Sequence, residues 1–263
     1  MAPKLKRVVV ADPQPASARM FGELMRDIAL SHVWTAQTTE RALKLCENSD
    51  PQLIVLELGD DRVDGLSIAR KIRRSTWSCR KAPIITITGA ATAAMILAAR
   101  DAGVHEFLRK PYSMKDLVRR LEAVTLKERD WVEGVGYIGP DRRRFNSGEY
   151  NGPLKRKSDG DETPFQQRIN QALKIIRAAV AAAETDPSQA LRAMVTQATT
   201  LQSMATDFKM TLAASEFYRH LTRHAQSGQP LTRADAQKWA APLLAFLPKD
   251  ADADRKPPPA AAA

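Results

Sequence analysis

Four polar residues of the N-terminal half stand at the ends of short apolar segments, and their side chains could bind a charged group. They are Asp12, Glu57, Thr88 and Lys110, the last of them directly before Pro111. Carboxylates can hold a divalent cation or pair with an ammonium group, and a hydroxyl can form a hydrogen bond. Each residue taken singly has a simpler explanation, as a helix cap, a turn residue or a solvated lysine. Their joint placement favours a functional pocket.

The segments that position these residues alternate between strand-like and helix-like patterns. Strands are predicted at residues 8–11, 32–35, 53–58, 84–88 and 106–109. Helices are predicted at residues 15–30, 38–48, 65–75, 92–101 and 113–125. Five β-α units of this length imply an α/β fold with a parallel sheet covered on both faces. Because sites in such sheets lie at the carboxyl ends of the strands, the four polar residues are expected at one edge.

Residues 5–125 resemble the receiver domain of bacterial response regulators. The matching positions are Asp12, Asp64-Gly65, Thr88-Gly89, Ala102-Gly103 and Lys110-Pro111. The resemblance implies a flavodoxin-like, doubly wound, five-stranded parallel sheet. It also implies acidic residues that hold Mg²⁺, a Thr that hydrogen-bonds a phosphoryl group and a Lys that pairs with it. Phe107 matches the aromatic switch position of the family.

Two residues depart from the receiver pattern. Glu57 stands where the phosphoacceptor aspartate is expected, and Ala11 replaces the first acid of the metal-binding pair. Asp12 and Glu57 then remain as a weak Mg²⁺ site, and no other cofactor is expected. The extra methylene of Glu57 moves its carboxylate outward by about 1.5 Å. A glutamate at this position can partly imitate the charge of an acyl phosphate.

Three interpretations of the pocket remain open. In the first, Glu57 pairs with Lys110, and also with Thr88, which fixes the domain in one state. In the second, the pocket is an inert scaffold and only the outer surface of the domain matters. In the third, Asp60 or Asp61 takes the phosphoryl group, which is disfavoured because both residues lie past the strand end.

Residues 129–160 are rich in glycine, proline and charge and show no sustained period, which predicts a basic linker. Its segment YIGPDRRRF resembles one that recurs after receiver domains. The linker holds a possible anion-binding set: Arg142, Arg143, Arg144, Lys155, Arg156 and Lys157. An alternative function is therefore binding of a cyclic dinucleotide or a nucleic acid. Asn146 stands where the RxxxR spacing of PilZ-type nucleotide receptors needs an arginine.

Residues 161–247 predict an all-α domain, and residues 248–263 predict a disordered tail. N-cap signals and apolar stripes place its helices at 164–184, 187–205, 207–227 and 233–246. His220 and His224 lie four residues apart on one predicted helix face. A metal site or a phosphotransfer histidine would be the functional interpretation, but solvated surface histidines are favoured.

Composition limits the remaining possibilities. The net charge of +10 spreads over residues 1–128, 129–160 and 161–263 as +6, +2 and +2, so nucleic acid is not the expected partner. Cys46 and Cys79 have no CxxC spacing, and no apolar run approaches the length of a membrane span. We therefore expect a cytoplasmic protein that is not an enzyme.

These observations together predict an atypical, non-phosphorylatable response regulator. Residues 1–128 form its receiver-like domain, and it acts through protein contacts in bacterial two-component signalling. The resemblance implies that the partner is a histidine kinase, a phosphotransfer protein or a downstream target. It also implies a contact face formed by the fourth helix, the fifth strand and the fifth helix.

Overall fold

The computed structural model describes residues 5–29, 31–127, 129–142 and 163–248. The chain divides into two compact units, Met1–Asn151 and Gly152–Ala263, which are described separately below. No helix in these described ranges is long and apolar enough to cross a membrane.

The first unit is built on a five-stranded sheet whose neighbouring strands are all parallel. Its strands are β1 (Arg7–Ala11), β2 (His32–Ala36), β3 (Leu53–Glu57), β4 (Ile84–Thr88) and β5 (Glu106–Arg109). Its helices are α1 (Pro15–Ala29), α2 (Thr39–Ser49), α3 (Gly65–Arg74), α4 (Ala93–Asp101) and α5 (Met114–Thr125). The strand order is β2-β1-β3-β4-β5, which confirms the predicted doubly wound α/β fold.

Alternate side chains of the central strands pack into two separate hydrophobic cores, one on each face of the sheet. Ile54 and Leu56 of β3 pack with buried residues of α2, α3 and α4 on one face of the sheet. Val55 of the same strand packs with α1 and α5 on the other face. A strand buried on both sides reads as a continuous apolar run, which is why β3 is recognisable in the sequence.

The strand register brings the predicted polar residues to one edge of the sheet. Ala11 pairs with Leu56, Glu57 pairs with Ile87, and Thr88 pairs with Arg109. The residues that follow these strands therefore emerge side by side. This edge is the carboxyl end of every strand, where sites in open α/β sheets form.

Residues 131–140 form an antiparallel hairpin of two short strands, β6 (Trp131–Glu133) and β7 (Ile138–Pro140). The expectation of an irregular linker is therefore wrong for this segment. Three-residue strands are too short to show a hydrophobic period, and the contacts that hold them are long-range. Arg80 donates to Glu133 at 2.8 Å, and Arg74 donates to the carbonyl of Val135 at 3.0 Å.

Arg73 is a buried residue that lies close to Trp131 of this hairpin. Its side chain is 1% exposed and donates to the carbonyls of Gly103, Arg80 and Ala82 at 3.0, 2.6 and 2.9 Å. Its guanidinium also lies 5.1 Å from the ring centre of Trp131, within cation–π range. Burial lowers the pKa of Arg73 to about 9. Backbone carbonyls thus provide most of the partners of this buried cation.

In the described part of the second unit, residues 163–248, four helices each pack on two of the others. They are α6 (Pro164–Ala181), α7 (Pro187–Met204), α8 (Phe208–Ser227) and α9 (Arg233–Leu244). Contacts run from α6 to α7, α7 to α8, α8 to α9 and α9 back to α6. Side chains of Thr163, Asp186, Asp207 and Thr232 cap the four N-termini. The prediction of a C-terminal all-α region is confirmed.

Adding a methyl group at Gly139 should loosen the hairpin. A Cβ there would lie 2.7 Å from the Cα of Gly103, a backbone atom that cannot move aside. We expect Gly139→Ala to lower the free energy of unfolding by about 1–3 kcal/mol in urea titrations. Gly136→Ala is the matched control, because a Cβ at Gly136 would meet no atom within 4 Å. Equal stability of the two variants would contradict this packing.

His105 should make the first unit less stable in mild acid. Its Nδ1 accepts from the Ile84 amide at 3.2 Å, and burial and the charge of Arg73 hold its pKa well below the ordinary value. The unfolded chain therefore takes up a proton first as the pH falls below about 6.5, which favours unfolding. We expect wild type to lose up to about 1.4 kcal/mol per pH unit relative to His105→Gln in this range. Equal slopes in urea titrations from pH 7.5 to 5 would contradict the expectation.

Candidate functional site

Three of the four predicted residues meet in a small pocket at the carboxyl edge of the sheet. Asp12 follows β1, Glu57 ends β3 and Lys110 follows β5. The pocket is lined by these side chains and by residues of β1, α1, β3, β4 and the β5–α5 loop: Val10, Ala11, Ser17, Phe21, Val55, Ile87 and Tyr112. The side chains of Asp12 and Glu57 are only 9% and 13% exposed, so these charges are partly withdrawn from water.

The ammonium group of Lys110 lies between two carboxylates. Its Nζ donates to Glu57 Oε2 at 2.5 Å and to Asp12 Oδ2 at 3.3 Å. A third, longer bond of 3.4 Å goes to Ser17 Oγ. A lysine ammonium has three N–H donors, so these three acceptors use all of them.

Asp12 is held in place by α1 as well as by the lysine. Its side chain is 9% exposed, and its Oδ1 accepts from the Gln14 amide at 2.8 Å. The hydroxyl of Ser17 donates to Oδ2 at 2.6 Å. The sequence analysis missed Ser17, although its position in the first turn of α1, five residues after Asp12, could have signalled the contact.

Burial and charge act in opposite directions on this ion pair. Burial raises the pKa of Glu57, while the hydrogen bond and charge of Lys110 oppose that rise. Burial alone would lower the pKa of Lys110, but the hydrogen bond and charge of Glu57, together with Asp12, raise it above its ordinary value. The ammonium is therefore stabilised in its charged form at neutral pH by two carboxylates.

Thr88 and Phe107 do not join the ion pair. The buried hydroxyl of Thr88 donates to the Leu58 carbonyl at 2.8 Å and accepts from the Ala90 amide at 3.2 Å. The expected contact between Thr88 and Glu57 is therefore replaced by bonds to the backbone of two loops. Phe107 is half-buried and packs against the core that contains α2, α3 and α4.

Asp60, the first alternative phosphoryl acceptor, is hydrogen-bonded to Arg62. Its carboxylate accepts from the backbone amide of Arg62 at 2.9 Å and from the guanidinium at 3.2 Å. The side-chain hydrogen bond from Arg62 lowers the pKa of Asp60. Asp61 is exposed. Neither carboxylate hydrogen-bonds Lys110.

The two carboxylates expected to hold Mg²⁺ are the ones that bind the lysine. Asp12 Oδ2 and Glu57 Oε2 both accept from Lys110, so a metal ion using these oxygens would have to displace the ammonium. Within the described ranges, no group of three or more His, Cys, Asp or Glu side chains could hold a metal ion. With Ala11 in place of a third acid, the donor set fits Mg²⁺ poorly.

Arg142 has an internal role at the end of the hairpin segment. Its guanidinium pairs with Asp101 at 2.8 Å and lies 3.5 Å from the ring centre of Tyr137. The structure therefore places this side chain on the first unit and not in an open anion site. The other members of the set, Arg143, Arg144, Lys155, Arg156 and Lys157, lie outside the described residues.

The two histidines of α8 both contact Trp239 of α9. The rings of His220 and Trp239 stack with centres 5.5 Å apart, and the ring of His224 lies at the same distance with a tilt of 56°. His220 is exposed, as expected. The expectation is wrong for His224, which is half-buried and whose Nε2 is buried without a hydrogen-bond partner.

Residues 8–122 match the family described as response regulator receiver domain. The matched range contains the whole pocket and every strand of the sheet except the first residue of β1. The helical second unit lies outside it.

Several curated proteins are similar to about half of the chain. The transcriptional regulatory protein PdtaR of Mycobacterium tuberculosis is 29% identical over 142 residues, which cover 54% of this chain and 67% of PdtaR. The response regulator MprA of a Mycobacterium species is 31% identical over 120 residues, 45% of this chain. The chain spans about half the length of MprA.

Solved structures are similar to a little under half of the chain. The chemotaxis protein CheY4 of Vibrio cholerae is 18% identical, with a TM-score of 0.43, and the match covers 46% of this chain and 98% of that one. A CheY-like receiver domain protein of Methanospirillum hungatei is 20% identical, with a TM-score of 0.41, over 45% of this chain and 91% of that one.

Replacing Lys110 by methionine should destabilise the first unit. The change leaves the carboxylates of Asp12 and Glu57 close together without their shared cation, and we expect a loss of about 1–3 kcal/mol at pH 7. The folded-state pKa of Lys110 is raised, so its stabilising contribution is complete at neutral pH and is lost only as the pH rises through the folded value. Adding Glu57→Gln to Lys110→Met should restore part of the loss. Additive effects in urea titrations of this double-mutant cycle would contradict a direct ion pair.

Proposed function

Since residues 8–122 are a response regulator receiver domain, we propose that this domain works without phosphorylation of the usual position. Glu57 and Lys110 form a permanent internal ion pair in place of the phosphoryl–lysine contact. The protein then acts in two-component signalling through protein contacts whose strength does not depend on phosphoryl transfer. It is proposed to be cytoplasmic and not an enzyme.

The position of the Lys110 ammonium supports this proposal most directly. All three of its donors have acceptors within the chain, and the shortest bond, 2.5 Å, goes to Glu57. A phosphoryl group at the end of β3 would need both a free carboxylate oxygen and a lysine donor. Here the Lys110 donor is already bonded to Glu57 Oε2 and would have to leave that oxygen to contact a phosphoryl group.

Ala11, which replaces the first acid of the metal-binding pair, also makes phosphoryl transfer to this pocket less favourable. Phosphoryl transfer depends on positioning and on neutralising charge on the transferred oxygens, usually with a bound metal ion. Ala11 contributes no oxygen ligand, and Asp12 already accepts from Gln14, Ser17 and Lys110. A donor phosphate would meet a pocket in which the Lys110 ammonium already pairs with both carboxylates.

The signalling output of the domain would then depend on which partners its surface binds and on how much of the protein is present. Thr88 is bonded to Leu58 and Ala90, and Phe107 packs against the domain core, so neither side chain contacts the ion pair. We propose that partners recognise this single arrangement. Control would come from the amount of protein or from competing partners.

Incubation with acetyl phosphate and Mg²⁺ should leave the wild-type chain without a phosphoryl group. The matched control is the double variant Ala11→Asp/Glu57→Asp, which restores the acidic pair and the shorter acceptor. We expect this control to gain one phosphoryl group by intact-mass spectrometry, because the remaining pocket residues Asp12, Thr88 and Lys110 are present.

Two outcomes separate the explanations. A phosphoryl adduct on the wild-type chain that persists in Asp60→Asn and disappears in Glu57→Gln would overturn the proposal. An adduct that disappears in Asp60→Asn would move the acceptor to that aspartate and would overturn it equally.

A further inference from the structure

Strand β2 is an edge strand whose outer backbone groups have no partner in the part of the chain that the structure describes. The His32 amide donates to a carbonyl before β1 at 2.7 Å, and the Ala36 carbonyl accepts from an amide after β1 at 3.0 Å. In a parallel ladder these two bonds fix which residues of β2 face β1, namely the even-numbered ones. The N–H and C=O groups of Val33 and Thr35 therefore point away from the sheet.

The sequence of β2 does not protect this edge. Its residues, His-Val-Trp-Thr-Ala, include no Lys, Arg, Asp, Glu or Pro. Charged side chains and proline are the usual devices that keep an exposed edge from pairing. Val33, Trp34 and Thr35 are half-buried, whereas every residue of β4 in the interior of the sheet is buried. β-branched and aromatic residues of this kind are typical of a paired strand.

Strand β5, at the other edge of the sheet, carries charges and is partly covered. It contains Glu106 and Arg109. The Glu106 carboxylate accepts from Arg120 at 2.9 Å and also from Arg129. Arg129 in turn donates to the His105 carbonyl at 3.1 Å. The two edges therefore differ, and β2 is the one that is open to a further strand.

We propose that two copies of the chain associate through their β2 strands, which joins the two sheets across a two-fold axis. An antiparallel alignment centred on Trp34 places Val33 opposite Thr35 of the second copy. Both residues direct their backbone groups outward, so each such pair can exchange two N–H···O=C bonds. The strand is thus complementary to itself, as a two-fold interface requires. The association goes beyond the proposed function, because the described residues that line the Lys110 pocket include none from β2.

Trp34 lies at the centre of this alignment. Its ring packs against the core that contains α2, and the ring centre of His32 lies 4.3 Å away in an edge-on arrangement. Residues directly opposite each other in a non-hydrogen-bonded antiparallel pair have Cβ atoms about 4.5–5.5 Å apart. The two Trp34 side chains would therefore lie side by side on the α2 face, where an aromatic pair adds to the stability of the joined sheet.

Helix α1 provides charge complementarity on the other face of the joined sheet. It packs over β2, and a Cβ added at Gly22 would lie 3.4 Å from Val33 Cγ1. Arg19 and Glu23 are exposed one turn apart on α1, and neither has an ion-pair partner among the described residues. Because paired strands lie about 4.8 Å apart, the two-fold axis brings the two α1 helices together in antiparallel order. Arg19 of each copy then approaches Glu23 of the other.

The same features favour a second copy over an extended peptide of another protein. Such a peptide could also bond to the backbone of Val33 and Thr35 by adding a strand to the edge. It would not by itself supply a helix whose charges match Arg19 and Glu23 in reverse order. The second copy supplies both the strand and the helix.

Sedimentation equilibrium of the full-length chain, without any phosphate donor, tests the proposal. We expect wild type to form a dimer whose fraction rises with concentration. Thr35→Pro removes an outward N–H but no bond to β1, and it should raise the dimer dissociation constant about tenfold or more. Thr35→Val keeps the N–H and is the matched control, which should stay within about threefold of wild type. Circular dichroism spectra that match wild type show that both variants are folded.

Charge variants of α1 test the geometry without altering the strand. Arg19→Glu and Glu23→Arg should each weaken the dimer about tenfold, because like charges then face each other at two symmetric places. An equimolar mixture of these two variants should recover wild-type association, since one copy then carries two acids and the other two bases. The double variant Arg19→Glu/Glu23→Arg should recover it as well.

A wild-type chain that remains monomeric at every concentration would overturn the proposal. So would a dimer whose dissociation constant is unchanged by Thr35→Pro or by Arg19→Glu, because a different surface would then be the interface. Failure of the mixed charge variants to associate would contradict the antiparallel order of the helices. Since no step involves phosphate, each of these results leaves the mass-spectrometric test of the proposed function unaffected.

Discussion

The ion pair between Lys110 and Glu57 is the contact on which the account of this domain depends. A 2.5 Å bond joins a lysine that follows β5 to a glutamate that ends β3, and Asp12 after β1 completes the set. Three strands must end at the same edge of one parallel sheet for these groups to meet. The sheet order β2-β1-β3-β4-β5 and its register provide that arrangement. The chemistry of the pocket is therefore a direct consequence of the fold.

The sequence was sufficient to predict the sheet and the identity of the pocket. Continuous apolar runs such as residues 53–56 mark strands buried on both faces, and the polar residue at each strand end is then placed by topology alone. The pairing of Glu57 with Lys110 was one of the three interpretations that the sequence left open, and the shared edge of the sheet is what brings the two residues together. What the sequence could not provide was the orientation of the Thr88 hydroxyl, which depends on the positions of the Leu58 carbonyl and the Ala90 amide in two loops.

The hairpin formed by β6 and β7 was not predictable by the same reasoning. Its strands have three residues each, and its attachment relies on side chains more than fifty residues earlier in the chain: Arg80 donates to Glu133 and Arg74 to the Val135 carbonyl. Arg142 illustrates the same limit: its charge suggested an anion site, but Asp101 and the ring of Tyr137 hold it.

The most direct measurement of the central claim is the ¹H–¹⁵N NMR spectrum of the lysine ammonium groups, with Lys110 assigned through Lys110→Arg. An ammonium whose three donors are all engaged exchanges its protons with water more slowly than solvated ammonium groups. The account predicts one protected lysine resonance in wild type at neutral pH, unchanged by Mg²⁺ and lost to fast exchange in Glu57→Gln. A Lys110 resonance that exchanges as fast as those of surface lysines, or that responds to millimolar Mg²⁺, would contradict it.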